Sequence, residues 1–240
     1  MKDKNIPKIV VSENVMKVLD FSDFSNFKKS TETITGKTAD LLQITSLIIS
    51  GSTINSFDFL RHFPSLKKLG FLACKSDYWT DLKGNENITS LRLHNLKQDK
   101  KYLQSIDFIR TFSNVEYLYL NLLGIDNFSE LQSLKHLHTI FAVCRNENDI
   151  RKQFDFSALE FLPCLKVFDT WMAVDKHRIL AENLIPLLKN TSLSSLTVTQ
   201  MFPVEDKKLQ KLIGKQKPSL LQTTLSNDEL GDINRQNIAW

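Results

Sequence analysis

The chain has 240 residues, of which 42% are hydrophobic and 24% are charged, and its formal net charge is +4. This composition is that of a folded protein without low-complexity tracts. The mild, evenly spread charge argues against nucleic-acid binding, which needs Lys and Arg gathered on one face. The sequence contains no run of about 18 apolar residues, so no membrane span is predicted.

The first residues carry no visible targeting signal. Residues 1–7 contain charges but no apolar stretch behind them, so we expect no secretory leader. Residues 9–11 predict a short extended segment, and residues 12–17 predict a turn that leads into a strand at Met16. Phe21, Phe24 and Phe27 lie three apart, which favours a tight helical turn.

From residue 16 onward, one short phrase of the form L-x-x-L-x-L recurs. In the middle of the chain it reads Val115-x-x-Leu118-x-Leu120. Seven good copies begin at residues 44, 66, 88, 115, 137, 165 and 193, spaced 22, 22, 27, 22, 28 and 28 apart. A further copy begins at Met16 and a weaker one at Leu220. A period of 20–29 residues with this phrase indicates stacked units, each a strand plus a short helical segment.

The segments between the strands predict short helices. Ser56 is expected to cap one or two helical turns that stop before Pro64. The longer repeats have room for helices over residues 99–112, 153–161 and 175–188. Pro186 inside the last of these is expected to kink the helix or to begin a fresh turn.

The period weakens after residue 200. Residues 205–215 predict an amphipathic helix with Leu209, Leu212 and Ile213 facing inward, and residues 220–225 predict a last edge strand. The polar segment 226–240 predicts a tail.

These motifs resemble the leucine-rich repeat family over residues 16–200. The resemblance implies an α/β solenoid, curved, with a parallel sheet on the concave side and short helices and 3₁₀ turns on the convex side. The chain then divides into an N-terminal cap (1–15), an array of about eight units (16–200), and a C-terminal cap and tail (201–240). The family consensus has Asn or Cys at the ninth position, where only Cys74 matches, so we expect an irregular array.

Positions three, five and seven of each repeat are predicted to line the concave face, because strand side chains alternate between faces. In the first repeat these are Val18, Asp20 and Ser22. The middle repeats carry large amphipathic side chains typical of protein interfaces, although strand propensity alone also favours Tyr and Trp there. The predicted partner-binding residues are Lys68, Arg92, His94, Tyr117, Tyr119, Asn121, Phe141, Asp169 and Trp171.

No catalytic, cofactor or metal site is predicted. His136 and His138 share one face of a strand but match no zinc spacing, and neither a phosphate loop nor a G-x-S-x-G elbow is present. Asp169 and His94 form a conceivable acid–base pair that only the register supports. The three cysteines, Cys74, Cys144 and Cys164, are too scattered for a disulfide framework and predict reduced core thiols.

We therefore predict a non-catalytic, cytoplasmic module that binds a partner protein on its concave face. We expect it to be a monomer when free, with no nucleic-acid or membrane partner. The Lys-, Asn-, Ile- and Phe-rich composition is typical of bacteria, where two roles fit. We favour an immunity protein that neutralises a toxin over an effector that binds a host protein. A repeat-scaffold enzyme and a nucleic-acid binder are the remaining alternatives.

Overall fold

The computed structural model describes residues 8–12, 15–19, 38–121, 124–125, 127–144, 154–172, 179–199 and 201–223. The chain divides into two compact units: unit 1 comprises residues 1–112 together with residue 240, and unit 2 comprises residues 113–239. Both units consist of repeats in which a strand is followed by a turn and a short helical segment. None of the described helices has the length and apolarity that a bilayer crossing requires.

In unit 1, five strands lie side by side in chain order. The first pair is antiparallel and the later pairs are parallel. The strands are β1 (Lys8–Ser12), β2 (Val15–Leu19), β3 (Ser46–Ser50), β4 (Lys68–Leu72) and β5 (Ser90–His94), followed by a small antiparallel pair, β6 (Lys97–Gln98) and β7 (Lys101–Tyr102). The 3₁₀ helices of this unit are Thr38–Gln43, Asp58–His62, Trp79–Asp81 and Asp107–Thr111.

In unit 2, five strands again follow chain order, and the pairs among them are parallel. The strands are β8 (Tyr117–Asn121), β9 (Thr139–Cys144), β10 (Val167–Met172), β11 (Ser195–Thr199) and β12 (Leu221–Thr223). The 3₁₀ helices are Ser129–Ser133, Ser157–Phe161 and Ala181–Leu184, and the α-helices are α1 (Ile185–Lys189) and α2 (Pro203–Gln216).

The predicted register is confirmed for the seven central repeats within their units. In unit 1, the third positions Ser46, Lys68 and Ser90 pair with one another in order. In unit 2, the same holds for the third positions of β8 to β11, from Tyr117 to Ser195. A slip of one residue would turn every apolar side chain out of the core, so the leucines specify this register.

The predicted register is wrong in the first repeat. Val15 pairs with Ser46 and Met16 with Leu47, so Met16 holds the fourth position instead of the first. Consequently Val18, which pairs with Ile49, holds the sixth position instead of the third. The predicted face residues Asp20 and Ser22 lie outside the described part of the chain. The cause is the antiparallel pairing with β1, in which Ser12 pairs with Val15.

The last strand is present as predicted, but its register differs by one residue. Leu221 pairs with Ser195, whereas the weak copy of the phrase that begins at Leu220 would place Gln222 there. Helix α2 is confirmed, with Leu209 and Ile213 buried and Leu212 half-buried. The predictions for residues 21–27 and 226–240 lie outside the described residues.

Apolar side chains three residues apart connect the helical segments to the strands. In unit 2, Phe156, Leu159, Leu162, Leu165 and Phe168 are all buried. This spacing suits a 3₁₀ turn, in which residues i and i+3 lie above one another. The side chains of helix and strand thus form one continuous core in each repeat.

The helix predicted over residues 99–112 is wrong. Asp99 and Lys100 adopt left-handed conformations, with φ of 44° and 62°, and form the turn of the β6–β7 hairpin. Only the 3₁₀ helix Asp107–Thr111 follows, where Ile106, Ile109 and Phe112 are buried at a spacing of three. Similarly, the described part of residues 153–161 holds only the 3₁₀ helix Ser157–Phe161.

Pro186 begins a fresh helical turn, which was one of its two predicted roles. It lies in the first turn of α1, directly after the 3₁₀ helix Ala181–Leu184. Proline is tolerated there because the first N–H groups of a helix have no partner within it. Residues 175–178 of the predicted helix lie outside the described part of the chain.

The turns after β3, β4 and β5 each have a left-handed residue at the eighth position of the repeat. Gly51, Ala73 and Asn95 have φ of 64°, 52° and 50°. The Gly51 N–H donates to the Leu72 carbonyl at 2.9 Å, and the Ala73 N–H donates to the His94 carbonyl at 2.7 Å. The turn therefore connects each repeat to the next one.

The ninth position supports this turn from within the core. The Cys74 thiol donates to the Ile49 carbonyl at 3.3 Å, and burial raises its pKa to about 11, which keeps it protonated. Ser52 holds the same position one repeat earlier and donates to the Ser50 carbonyl at 2.9 Å. At this position serine therefore donates the hydrogen bond to a backbone carbonyl, where the consensus has Asn or Cys. Cys164, in contrast to our prediction, is exposed.

Replacing Ala73 by glycine is expected to stabilise the protein by about 0.5–1 kcal/mol. A left-handed conformation costs a non-glycine residue about 1–2 kcal/mol, and the added flexibility of glycine in the unfolded chain offsets only part of that gain. Gly51→Ala, at the same position of the neighbouring repeat, is expected to destabilise by a similar amount. Urea unfolding midpoints measure both changes. Shifts of the same sign for the two variants would contradict this account.

Gly84→Ala is expected to destabilise the protein by about 1–3 kcal/mol, the range for overpacking. A Cβ at residue 84 would lie 2.6 Å from the Thr111 carbonyl oxygen and 2.7 Å from Cγ of Phe112. Gly214 in α2 is the matched control, because a Cβ there meets no atom within 4 Å. Gly214→Ala should stabilise by about 0.5–1 kcal/mol through helix propensity. Equal thermal midpoints for the two variants would refute the steric argument.

Candidate protein-binding face

Positions three, five and seven of the repeats form what we call the open sheet face of each unit. They lie opposite positions four and six, whose side chains are buried in the core. In the central repeats of unit 1 these positions are Ser46, Ile48, Ser50, Lys68, Gly70, Leu72, Ser90, Arg92 and His94. In the central repeats of unit 2 they are Tyr117, Tyr119, Asn121, Thr139, Phe141, Val143, Val167, Asp169, Trp171, Ser195, Thr197 and Thr199.

The open sheet face of unit 1 is basic. Lys68 is exposed, and Arg92 and His94 are half-buried on the neighbouring strand. Gly70 pairs with Arg92 and is buried, and a Cβ at residue 70 would lie 3.6 Å from Cβ of Arg92. Burial, and then the nearby Arg92 guanidinium, hold the pKa of His94 below its ordinary value. The predicted residues Lys68, Arg92 and His94 thus lie on two adjacent strands, where Lys68 pairs with Ser90.

The open sheet face of unit 2 is aromatic. The rings of Tyr119 and Phe141 stack with centroids 5.0 Å apart and an interplanar angle of 15°. Tyr117 is 49% exposed, and its ring centroid lies 6.2 Å from that of His138. Asn121 is half-buried at the end of the same strand. Trp171 lies on β10, paired with Val143 and Thr199.

Phe141 is only 7% exposed, so the simple alternation between core and solvent fails at this residue. Val143 and Thr197 are similarly buried on the open sheet face. Strands in a sheet lie about 4.8 Å apart, so large side chains in register cover one another. The stacked ring of Tyr119 covers one side of Phe141. Phe141 therefore supports the ring of Tyr119 and offers little surface of its own.

Asp169 is a carboxylate placed beside this aromatic pair. It pairs with Phe141 on one side and with Thr197 on the other. Burial raises its pKa above the ordinary value, while a hydrogen bond donated by the Thr197 hydroxyl acts in the opposite direction. Among the residues that the structure describes, no ion pair to Asp169 is found.

One residue of this surface was missed by the sequence reasoning. His138 holds the second position of its repeat, is half-buried, and has Nδ1 2.9 Å from the hydroxyl oxygen of Thr139. The repeat phrase assigns no role to the second position, so the pattern did not include it. The sequence signal that could have indicated it is its place directly before Thr139, the residue that pairs with Tyr117.

The two residues of the conceivable acid–base pair belong to different units, His94 to unit 1 and Asp169 to unit 2. Within the described ranges, no three His, Cys, Asp or Glu side chains form a group that could hold a metal ion.

The repeated phrase, its period and the parallel strands stacked in chain order define a leucine-rich repeat fold. Solved structures with this fold include internalin C2 from Listeria monocytogenes, with a TM-score of 0.54 and 17% identity, covering 87% of this chain and 89% of that one. Internalin F from the same organism has a TM-score of 0.52 and 15% identity, covering 88% of this chain and 66% of that one. No protein-family model and no curated protein sequence matches the chain.

Asp169→Asn is expected to raise the melting temperature at pH 7 and to leave it unchanged near pH 3. Because burial raises the folded-state pKa, the folded protein holds the proton more tightly than the unfolded chain does. Stability is therefore lost as pH rises from the ordinary carboxyl pKa of about 3.9 through the folded-state value. Asparagine removes this loss and still accepts the hydrogen bond from Thr197.

Thermal unfolding followed across pH 3–8 tests this expectation. The exposed Asp107 supplies the control, and Asp107→Asn should not reproduce the pH-dependent gain. A lower melting temperature for Asp169→Asn at pH 7 would show that the Asp169 carboxylate stabilises the fold.

Proposed function

We propose that this chain is a non-catalytic protein-binding module that recognises a partner protein through its open sheet faces. The observation that carries the proposal is the aromatic surface of unit 2. Tyr117 is half exposed, and Tyr119 is held in a fixed plane by the buried Phe141. Aromatic side chains held on rigid elements dominate binding energy at protein interfaces, because little conformational entropy is lost when they bind.

The chemistry of the face favours binding over catalysis. Aromatic, aliphatic and hydroxyl side chains make up most of it in unit 2. The Asp169 carboxylate accepts a hydrogen bond from Thr197, and the Nδ1 atom of His138 lies beside the Thr139 hydroxyl. Leucine-rich repeat arrays expose extended sheet surfaces of this kind, which supports the same reading.

The finer proposal is an immunity protein whose partner is a bacterial toxin domain. The bacterial type of composition and one preformed aromatic face, which suits tight binding to a single partner, support it. A cytoplasmic location and a free monomer belong to this proposal. An effector that binds a host protein is the alternative, and it differs in expecting no toxin encoded beside this gene.

A binding measurement tests the face. The wild-type chain and the Tyr117→Ala plus Tyr119→Ala variant are compared for their affinity to the protein encoded by the neighbouring gene. We expect at least a tenfold loss, since hot-spot residues each contribute about 2 kcal/mol or more. Tyr78→Ala is the matched control, because Tyr78 is 48% exposed yet lies outside the strands. Equal affinity of wild type and the double variant would refute the proposed face.

The same pair of proteins tests the immunity role. Co-expression with the neighbouring gene product should rescue growth with wild type and with the Tyr78→Ala control, and should fail with the double variant. A neighbouring product that is neither toxic nor bound would favour the effector role instead. Host-cell extract would then be the source for the same affinity comparison.

A further inference from the structure

Unit 1 contains a groove between two neighbouring repeats, on the side of the helical segments. Its volume is about 690 Å³, within the range of about 300–1,000 Å³ that is usual for ligand sites. One wall comes from residues 55–61 and the other from residues 78–85, and the buried side chains of Phe57 and Ile88 form the floor. The Phe57 ring also contacts Phe71 of β4, at a centroid distance of 5.9 Å. The core therefore separates this groove from the open sheet face.

The groove exists because the 3₁₀ helix of the repeat 66–87 is short. That helix has three residues, Trp79–Asp81, whereas the helices of the repeats on either side have five. Gly84 then packs tightly against the following repeat, where a Cβ at residue 84 would lie 2.7 Å from Cγ of Phe112. The chain is thus drawn away from the preceding repeat, and the groove lies in the space between.

The backbone of residues 82–85 has one edge that is bonded and one that is not. The Gly84 N–H donates to Oγ1 of Thr111 at 2.8 Å, and the Leu82 carbonyl oxygen lies 3.5 Å from the same atom. Leu82 is extended, with φ of −63° and ψ of 116°. Because successive residues of an extended chain direct their N–H and C=O groups to opposite sides, those of Lys83 face the groove. They make no hydrogen bond to any residue that the structure describes.

The walls of the groove carry exposed side chains of both charges. The acidic ones are Asp58 and Asp81, and the basic ones are Arg61 and Lys83. None of these four forms an ion pair with a described residue. The equivalent helix of the next repeat differs, because there Arg110 lies 3.6 Å from Asp107. The groove therefore offers a positive and a negative charge to a ligand on each wall.

We propose that the groove binds an extended segment of a second partner protein, which pairs its main chain with Lys83. An added strand gains affinity from main-chain hydrogen bonds and specificity from alternate side chains. The segment that fits has an apolar residue over Phe57 and Ile88, with a basic residue two positions before it and an acidic residue two positions after it. This site is additional to the proposed interaction of the open sheet face and does not depend on it.

The capped peptide acetyl-Lys-Thr-Leu-Thr-Glu-amide is the probe. Its binding to the ¹⁵N-labelled full chain is followed by NMR at low salt through the Lys83 amide, and we expect a dissociation constant of about 1 mM or below. Two analogues each carry one N-methylated amide, at the leucine or at the threonine after it. Only alternate N–H groups of the peptide face the Lys83 edge, so the two analogues should differ in affinity at least about tenfold.

Variants of the chain locate the binding. Lys83→Pro removes the N–H, and the extended Leu82 suits a following proline, so this variant should bind the peptide at least about tenfold more weakly. Arg61→Gln should weaken binding roughly two- to fivefold, as expected for an exposed ion pair. Arg110→Gln, at the matched position of the next repeat, should bind as wild type does. The Tyr117 and Tyr119 double variant should also bind the peptide normally, which separates this site from the open sheet face.

Three results would overturn the proposal: equal affinity of the two N-methylated analogues, wild-type binding by a folded Lys83→Pro variant, and no binding of the probe at about 10 mM. If Lys83→Pro does not fold, the pair of analogues decides alone. Slow hydrogen exchange of the Lys83 amide before any peptide is added would also overturn it. Protection that is lost on dilution would identify a second copy of this chain as the occupant, and protection at every concentration would identify another part of the same chain.

Discussion

A single repeat of this chain cannot bury its own apolar side chains, and this constraint determines the rest of the structure. Each repeat covers one flank of the next, so the core forms only when repeats stack. The backbone obeys the same rule. The Thr45 carbonyl accepts the N–H groups of Lys67 and Lys68, and the His138 carbonyl accepts those of Lys166 and Val167. A repeat without its neighbour would leave both apolar surface and backbone donors uncompensated.

The sequence predicts the register of the central repeats well, because a wrong register there is penalised on both sides. The terminal copies have another repeat on one side only, and there the phrase misleads. Met16 fits the apolar template three residues out of register, since the β1–β2 hairpin decides where β2 begins. Gln222 pairs with Leu196, where the phrase would have placed Thr223. The helix predictions over 99–112 and 153–161 are wrong for another reason. A 3₁₀ helix repeats every 3.0 residues and an α-helix every 3.6, and the two apolar patterns coincide over one or two turns.

The candidate face was only partly predictable. Alternation along a strand assigns Tyr119, Phe141 and Asp169 to the same side, and the structure places them in consecutive register positions. Alternation says nothing about how side chains on adjacent strands cover one another. The burial of Phe141 and the raised pKa of Asp169 arise from that lateral packing. These properties belong to pairs of repeats and cannot be found in one repeat read alone.

The core under the face explains how the face can hold an unfavourable carboxylate. Asp169 lies between Phe168 and Thr170, whose side chains are buried on the opposite side of β10. Burying a phenylalanine side chain contributes about 1.5–3 kcal/mol, and this contribution opposes the cost of the partly desolvated carboxylate. Since the same strand carries both residues, core packing fixes the backbone from which Asp169 projects. The positions exposed on the face can then be chosen for the partner, because the leucines behind them keep the strand in register whatever those positions carry.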